Sequence, residues 1–211
     1  MITAVMDEHE PITHPGIPFP LSWAAPPVDW ALSPQGDLLI TAGPGTDLFI
    51  DPARAADPAP IATAPRLLGR WLGDFQLSAR VSVGFRSTFD AGVLVVWADD
   101  ETWAKLCFEL SPQGDPTIVS VVTRGLSDDC NSFVVHAHAA WLRISRLGTA
   151  YAFHASTDGA TWRLVRYFAL GGRPDPLLGF EAQAPTGESC SVTFSRVSFS
   201  PTRLGNLRDG T

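Results

Sequence analysis

Cysteine is scarce and unpatterned in this chain. Cys107, Cys130 and Cys190 are odd in number, far apart, and without a C-x-x-C pair. That argues against a disulfide-stapled module and a zinc finger, and it points to reduced thiols in a cytoplasmic setting. Long apolar runs are also missing. Nothing approaches the ~20 consecutive apolar residues of a membrane-spanning helix, and Met1 to Pro20 carries acids and prolines where a signal peptide needs a basic start and an apolar stretch. Neither membrane insertion nor secretion is expected. Positive charge is thin as well: 15 Lys and Arg stand against 22 Asp and Glu, for a net charge of −7. The basic residues are scattered, so no clustered field exists to hold phosphates, and nucleic acid is not an expected partner.

What the chain does have is apolar residues in short alternating runs. With 211 residues, 45% of them hydrophobic, it can bury roughly 70% of its unfolded surface, enough for one large domain. The dominant period is two, and Gly or Pro punctuates nearly every run. Expected strands include Leu21 to Ala25, Asp37 to Ala42, Asp47 to Asp51, Phe75 to Phe85, Ala91 to Ala98, Thr102 to Leu110, Thr117 to Arg124, Ser132 to Ala137, Leu178 to Ala184 and Ser191 to Ser200. Hairpin turns are expected at Ser33-Pro34-Gln35-Gly36, Ser111-Pro112-Gln113-Gly114 and Thr157-Asp158-Gly159-Ala160. So many short strands exceed a comfortable open sheet, so the predicted fold class is all-β, a two-sheet antiparallel β-sandwich of jelly-roll type. Residues 19–202 form its single domain, with 1–18 an acidic, proline-rich tail read as mobile and 203–211 a second tail. Pro52, Pro58, Pro60 and Pro65 mark an irregular connection, with one helical turn near Ala53 to Ala56, expected to wrap an edge of the sandwich.

One strand carries the functional signal. In Glu101 to Glu109 alternation puts Thr102, Ala104, Leu106 and Phe108 on one face, and Glu101, Trp103, Lys105, Cys107 and Glu109 on the other. The first face is core. The second joins an indole, an ammonium and two carboxylates, a set expensive to hold on a sheet unless ligand or solvent meets it there. Trp103 is the candidate stacking platform for a sugar or similar flat ligand. Lys105 and Glu109, about 13 Å apart along the strand, bracket Cys107. Arg124, Asp128 and Gln183 are the residues expected to complete the polar cluster. Other groups read as bland: His136 and His138 share a strand face but lack a third ligand at a telling distance, so no metal is expected, and Cys107 has no evident base partner. No cofactor is implied.

Several segments resemble the DUF1349 family. Trp103-Ala104-Lys105-Leu106-Cys107-Phe108-Glu109 is similar to its W-x-K-x-G-x-E signature, Thr46-Asp47-Leu48-Phe49 to its T-D-F-W, and Gly73-Asp74-Phe75 to its G-D-F. Phe89 to Val93 resembles its D-Q-A-G-L segment, Val121-Val122-Thr123 with Ser127-Asp128 its V-V-T and S-D-W, and Gly179 to Gly187 its G-x-x-A-Q-S-P-T-G run. The likeness spans about Trp23 to Ser200. It implies a concanavalin A-like lectin/glucanase fold with the ligand site on the concave sheet. Two departures alter the pocket wall: Cys107 stands for the family glycine and Asp129 for the tryptophan after Ser-Asp. The glucanases of this wider fold carry their acids as E-x-D-x-x-E or E-x-D-x-E, and here Trp103 and Lys105 occupy those places, which disfavours that hydrolysis.

Function stays open between classes. The first reading is a binding domain for a small-molecule ligand, a carbohydrate or similar, on the Trp103 face. The second is a cofactor-free lyase, isomerase or cyclase using Glu109 or Lys105 as an acid-base group. A third, which the family resemblance suggests through a yeast member linked to regulating enolase, is a regulatory protein that docks onto a metabolic enzyme. Oligomeric state is not encoded.

Overall fold

A computed structural model describes residues 10–54, 61–171 and 176–211. Its strands are β1 (Leu21–Ala25), β2 (Asp29–Leu32), β3 (Leu38–Ala42), β4 (Leu48–Phe49), β5 (Ile61–Ala62), β6 (Arg66–Arg70), β7 (Phe75–Val83), β8 (Ala91–Asp99), β9 (Thr102–Leu110), β10 (Pro116–Arg124), β11 (Leu126–Val134), β12 (Ala139–Leu147), β13 (Ala150–Ser156), β14 (Arg163–Ala169), β15 (Leu177–Gln183) and β16 (Cys190–Ser200). They build two antiparallel seven-stranded sheets, β1-β6-β15-β8-β9-β10-β11 and β14-β13-β12-β7-β16-β3-β2, with β4 and β5 as a separate small hairpin. The expected two-sheet sandwich is what forms. The three expected turns close their hairpins, and Gly36, Gly114 and Gly159 sit there at φ of 86°, 84° and 76°, backbone that a side chain would strain.

The main core lies between the sheets. Ala104, Leu106 and Phe108 of β9 enter it with Leu94 and Val96 of β8 and Ile118 and Val122 of β10, against Leu77, Val81, Leu142, Ile144 and Phe194 of the opposite sheet. The even positions of β9 therefore interlock as alternation requires.

The odd positions do not open onto bare solvent. Residues 43–54 and 61–66 cross the outer face of the first sheet as a strap, where an edge wrap is expected for Pro52 to Pro65. Thr46 pairs with Ala184 at one side of that sheet, and at the other side Ile50 N donates to Ser127 Oγ at 2.9 Å while Ser127 N donates to Ile50 O at 2.9 Å. The helical turn is a single 3-10 turn, Pro52–Arg54; residues 55 and 56 of the expected turn lie outside the described residues. Beneath the strap Leu48, Ile50 and Ala64 pack on Val93, Val95, Trp97, Trp103, Cys107 and Val121 as a second, smaller core. A sheet that must bury apolar side chains on both faces needs such a cover.

Two further expectations need correction. Residues 10–18 are not a free tail: Ile12 and Ile17 are buried in the main core, and Ile12 pairs with Leu21. His14 accepts from Gly16 N through Nδ1, so its Nε2 donates to Gly36 O at 2.9 Å; residues 1–9 lie outside the described residues. The C-terminal 203–211 segment is likewise docked, folding back on the outer face of the second sheet with Leu204 buried. Ile12 and Ile17 in the first segment and Leu204 in the second anchor them by burial.

Candidate functional site

Between the strap and the sheet remains a partly enclosed pocket of about 170 Å³, lined by Asp47, Phe49, Phe89, Lys105, Glu109, Val121, Asp129 and Gln183. Sheet register explains the convergence. Glu109 of β9 lies across from Ala91, as does Gln183 of β15, while Lys105 lies across from Val121, which pairs in turn with Asp129 on β11. The small Ala91 leaves the hollow; neighbouring strands supply its polar walls.

Lys105 is the hub. Its side chain is buried, and Nζ donates to Gln183 Oε1 at 2.8 Å and to Asp47 Oδ1 at 3.3 Å. Gln183 is itself oriented, because its Nε2 donates to Phe89 O at 3.0 Å. Burial alone would depress the Lys105 ammonium; Cys107, Asp47, Glu181 and Glu109 around it outweigh that and hold the amine above its ordinary range. The Cys107 thiol is itself pushed well up by burial, so at neutral pH it is uncharged and the ion pair with Asp47 is what holds the ammonium. Desolvation also pushes Glu109 up to about 8, against the pull of Lys105 and with the push of Asp129, Asp47 and Glu181. Asp129 is raised for the same first reason. Glu181, fully buried behind the wall, is pushed up to about 7.

Phe89 forms the rim. The loop before it is folded by Asp90, whose Oδ2 accepts from Arg86 N and Ser87 N at 2.9 Å each. That turn leaves Phe89 at φ 69° with its ring 39% exposed. A bulky residue in left-handed backbone costs on the order of 1 kcal/mol, and such strain concentrates at binding sites. Phe49, two residues after Asp47, adds the second ring.

The sequence-expected residues divide. Lys105, Glu109 and Gln183 meet in the pocket. Trp103 does not reach it: the indole is fully buried, stacked on Trp97 at 6.4 Å with rings 6° apart, and the Arg66 guanidinium lies 4.5 Å from the Trp97 ring. The strap's apolar cover makes Trp103 a core residue. Arg124 sits exposed at the end of β10, donating to Ala169 O at 3.1 Å. Asp128 pairs across from the core residue Val122 and binds Arg166 at 2.8 Å, so it faces the side opposite the pocket. Its neighbour Asp129 has the facing phase, since a shift of one residue along a strand reverses the face. The family resemblance marks Asp129 as a change in the pocket wall, but an expected strand beginning at Ser132 gives it no phase; Asp47 and Phe49 fall on the expected strand Asp47 to Asp51, with nothing to say that it lies over the odd face of β9. The T-D-L-F alternation already placed those two on one face. Positive φ at Phe89 leaves no signal in sequence. His136 and His138 are exposed in a loop rather than on a strand, and no cluster suited to a metal ion occurs among the described residues. No described helix is long and apolar enough to cross a membrane.

The fold recurs in solved structures. A functionally unknown protein from Saccharomyces cerevisiae superposes with a TM-score of 0.78 at 24% identity, over 85% of this chain and 95% of the other. A GH43 protein from Bacillus licheniformis and a xylan beta-1,4-xylosidase from Bacillus halodurans match at a TM-score of 0.68, with 14% and 15% identity, over 92% of this chain. The chain spans only 38% of each of those two proteins. At such identities the likeness speaks for the sandwich and not for an activity. A comparison with curated proteins finds no match. The profile of the family described as "Protein of unknown function (DUF1349)" matches residues 23–202, and with its signature strand forming one wall of the pocket, the chain belongs to the DUF1349 family.

Proposed function

We propose that this protein binds a small polyhydroxylated ligand, a single sugar ring or a chain-end sugar, in the pocket beneath the strap. The observation that carries this reading is the composition of the pocket wall: two aromatic rings, Phe49 and Phe89, beside an array of acceptors, Asp47, Glu109, Asp129 and the Gln183 amide. Aromatic faces take the C–H surface of a sugar, and fixed acceptors take its hydroxyls. The size agrees, because ~300 Å³ is the lower bound for drug-sized ligands and this hollow is about half that. Lys105 is already engaged by Asp47 and Gln183, so an anionic ligand would meet three carboxylates with little free positive charge to offset them. The three free thiols fit a cytoplasmic setting.

Calorimetric titration of hexoses and pentoses tests the reading. Binding should weaken about tenfold in Phe89→Ala, the loss of one stacked ring; equal affinity of wild type and variant for every sugar removes the site. A second reading, acid catalysis in a lyase or isomerase, is favoured by Glu109, whose raised value of about 8 keeps a proton available at neutral pH. It requires turnover of a bound sugar that Glu109→Gln abolishes without weakening binding.

A further inference from the structure

The pocket offers many more acceptors than donors. Of the three Lys105 N–H donors, two are spent on Gln183 and Asp47. Three carboxylates line the same hollow with this single ammonium, a formal excess of two negative charges when all are ionised. Behind the wall, Glu181 projects from the same face of the sheet as Gln183, and both its carboxylate oxygens are buried without a hydrogen bond. Lys105 and Arg66, the latter across from it on β6, pull on this acid without a hydrogen bond to either oxygen. Phe89 and Phe49 line the same space, and aromatic faces attract a positive charge. A neutral sugar would satisfy hydroxyl acceptors and leave this field unanswered.

We propose that the ligand carries a protonated amine, as an amino sugar does, with the ammonium seated between Glu109 and Asp129 beside the ring of Phe89. This rests on the sugar-site reading and names the ligand class within it. The groups facing Glu109 are Lys105 and Cys107 on its own strand, Asp129 on β11, Asp47 on the strap, and Glu181 with Gln183 on β15; among these only Lys105 is cationic. Burial keeps Glu109 protonated near neutrality in the empty pocket. An ammonium arriving there favours the ionised carboxylate, so binding releases a proton from Glu109.

The test is calorimetry at pH 6.5 in two buffers of different ionisation enthalpy, using glucosamine, galactosamine and mannosamine beside their parent neutral hexoses. At least one amino sugar should bind about tenfold or more tightly than its parent and release close to one proton. Glu109→Gln, which resembles the protonated acid in shape and hydrogen bonding, should abolish both the release and the preference. Asp129→Asn, on the exposed edge strand, should reduce the preference and guards against a folding defect in the first variant. Equal affinity for amino and neutral sugars overturns the amine and leaves the sugar site standing. A preference that survives both substitutions overturns the proposed seat. Binding of neither class overturns this inference together with the reading beneath it.

Discussion

Both outer faces of this sandwich bury a cation under a covering segment, and they solve the problem differently. On the second sheet Arg143 lies beneath the C-terminal residues, 8% exposed, donating through Nη2 to Gly210 O with its guanidinium 4.1 Å from the Trp162 ring. Its partners are a carbonyl and an indole, and desolvation pulls it down to about 10. His154 beside it donates through Nε2 to Leu207 O at 2.9 Å. That face is closed: Gly210, at φ 74°, has no room for a Cβ against Arg143 and Trp162. On the first sheet Lys105 lies beneath the strap among carboxylates, and the cover leaves a hollow. A cation held by neutral groups in a filled space is a clamp for a chain segment. One that is outnumbered by acids beside a cavity is a site poised for more positive charge.

The largest expected effect separates the two. Lys105→Met removes the hub of an acidic cluster and should lower unfolding free energy by ~3–5 kcal/mol, as breaking a buried charge pair does. Arg143→Met loses a carbonyl bond and a ring contact, about 1–2 kcal/mol. Urea midpoints at pH 7 give the comparison; if Arg143→Met costs as much as Lys105→Met, the distinction fails.

A middle effect sharpens it through pH. Glu109 at about 8 and Glu181 at about 7 bind protons more tightly folded than unfolded. Their protonated forms favour the native state, so stability declines as pH rises from the unfolded carboxylate range through these values, then levels off. His14 and His154, both lowered chiefly by burial, act in the opposite sense below about 6.5. Between pH 6.5 and 8 the carboxyls therefore dominate, and the loss should be on the order of 1–2 kcal/mol. Glu181→Gln should flatten part of this slope and melt above wild type at pH 8. A variant with the wild-type slope in thermal melts across this window shows that Glu181 does not titrate there.

The smallest effect concerns the rim. Phe89→Gly removes a left-handed bulky residue, so stability should change by less than about 1 kcal/mol, strain relief offsetting the lost ring and added chain freedom. Sugar affinity should fall nonetheless. A large drop in melting temperature would make Phe89 a packing residue.

Much of the architecture was legible from alternation and turns. β8, β9, β10, β15 and β16 lie where apolar period and Gly punctuation put them, because strands with one interlocked face write their phase into sequence. β6 escaped, being the continuation of a Pro- and Ala-rich strap, and of β11 only the end from Ser132 was expected, because most of its residues are polar and exposed as an edge strand. At the site, Lys105, Glu109 and Gln183 were readable as polar residues on a buried sheet. Trp103 misled for the same reason, since alternation says which face a side chain takes and nothing of what covers that face.

Local sequence by itself determined the strands, the turns between them, and which side of β9 belongs to the main core, because these depend on neighbours within a few positions. Only the tertiary structure decided that the opposite side is roofed by residues 43–54 and 61–66, that Asp47, Asp129 and Gln183 converge on Lys105, and that Asp128 and Arg124 do not. Those relations are set by register and by contacts between segments as many as 138 positions apart, Thr46 to Ala184 being one, and pairing over such separations leaves no period in the chain.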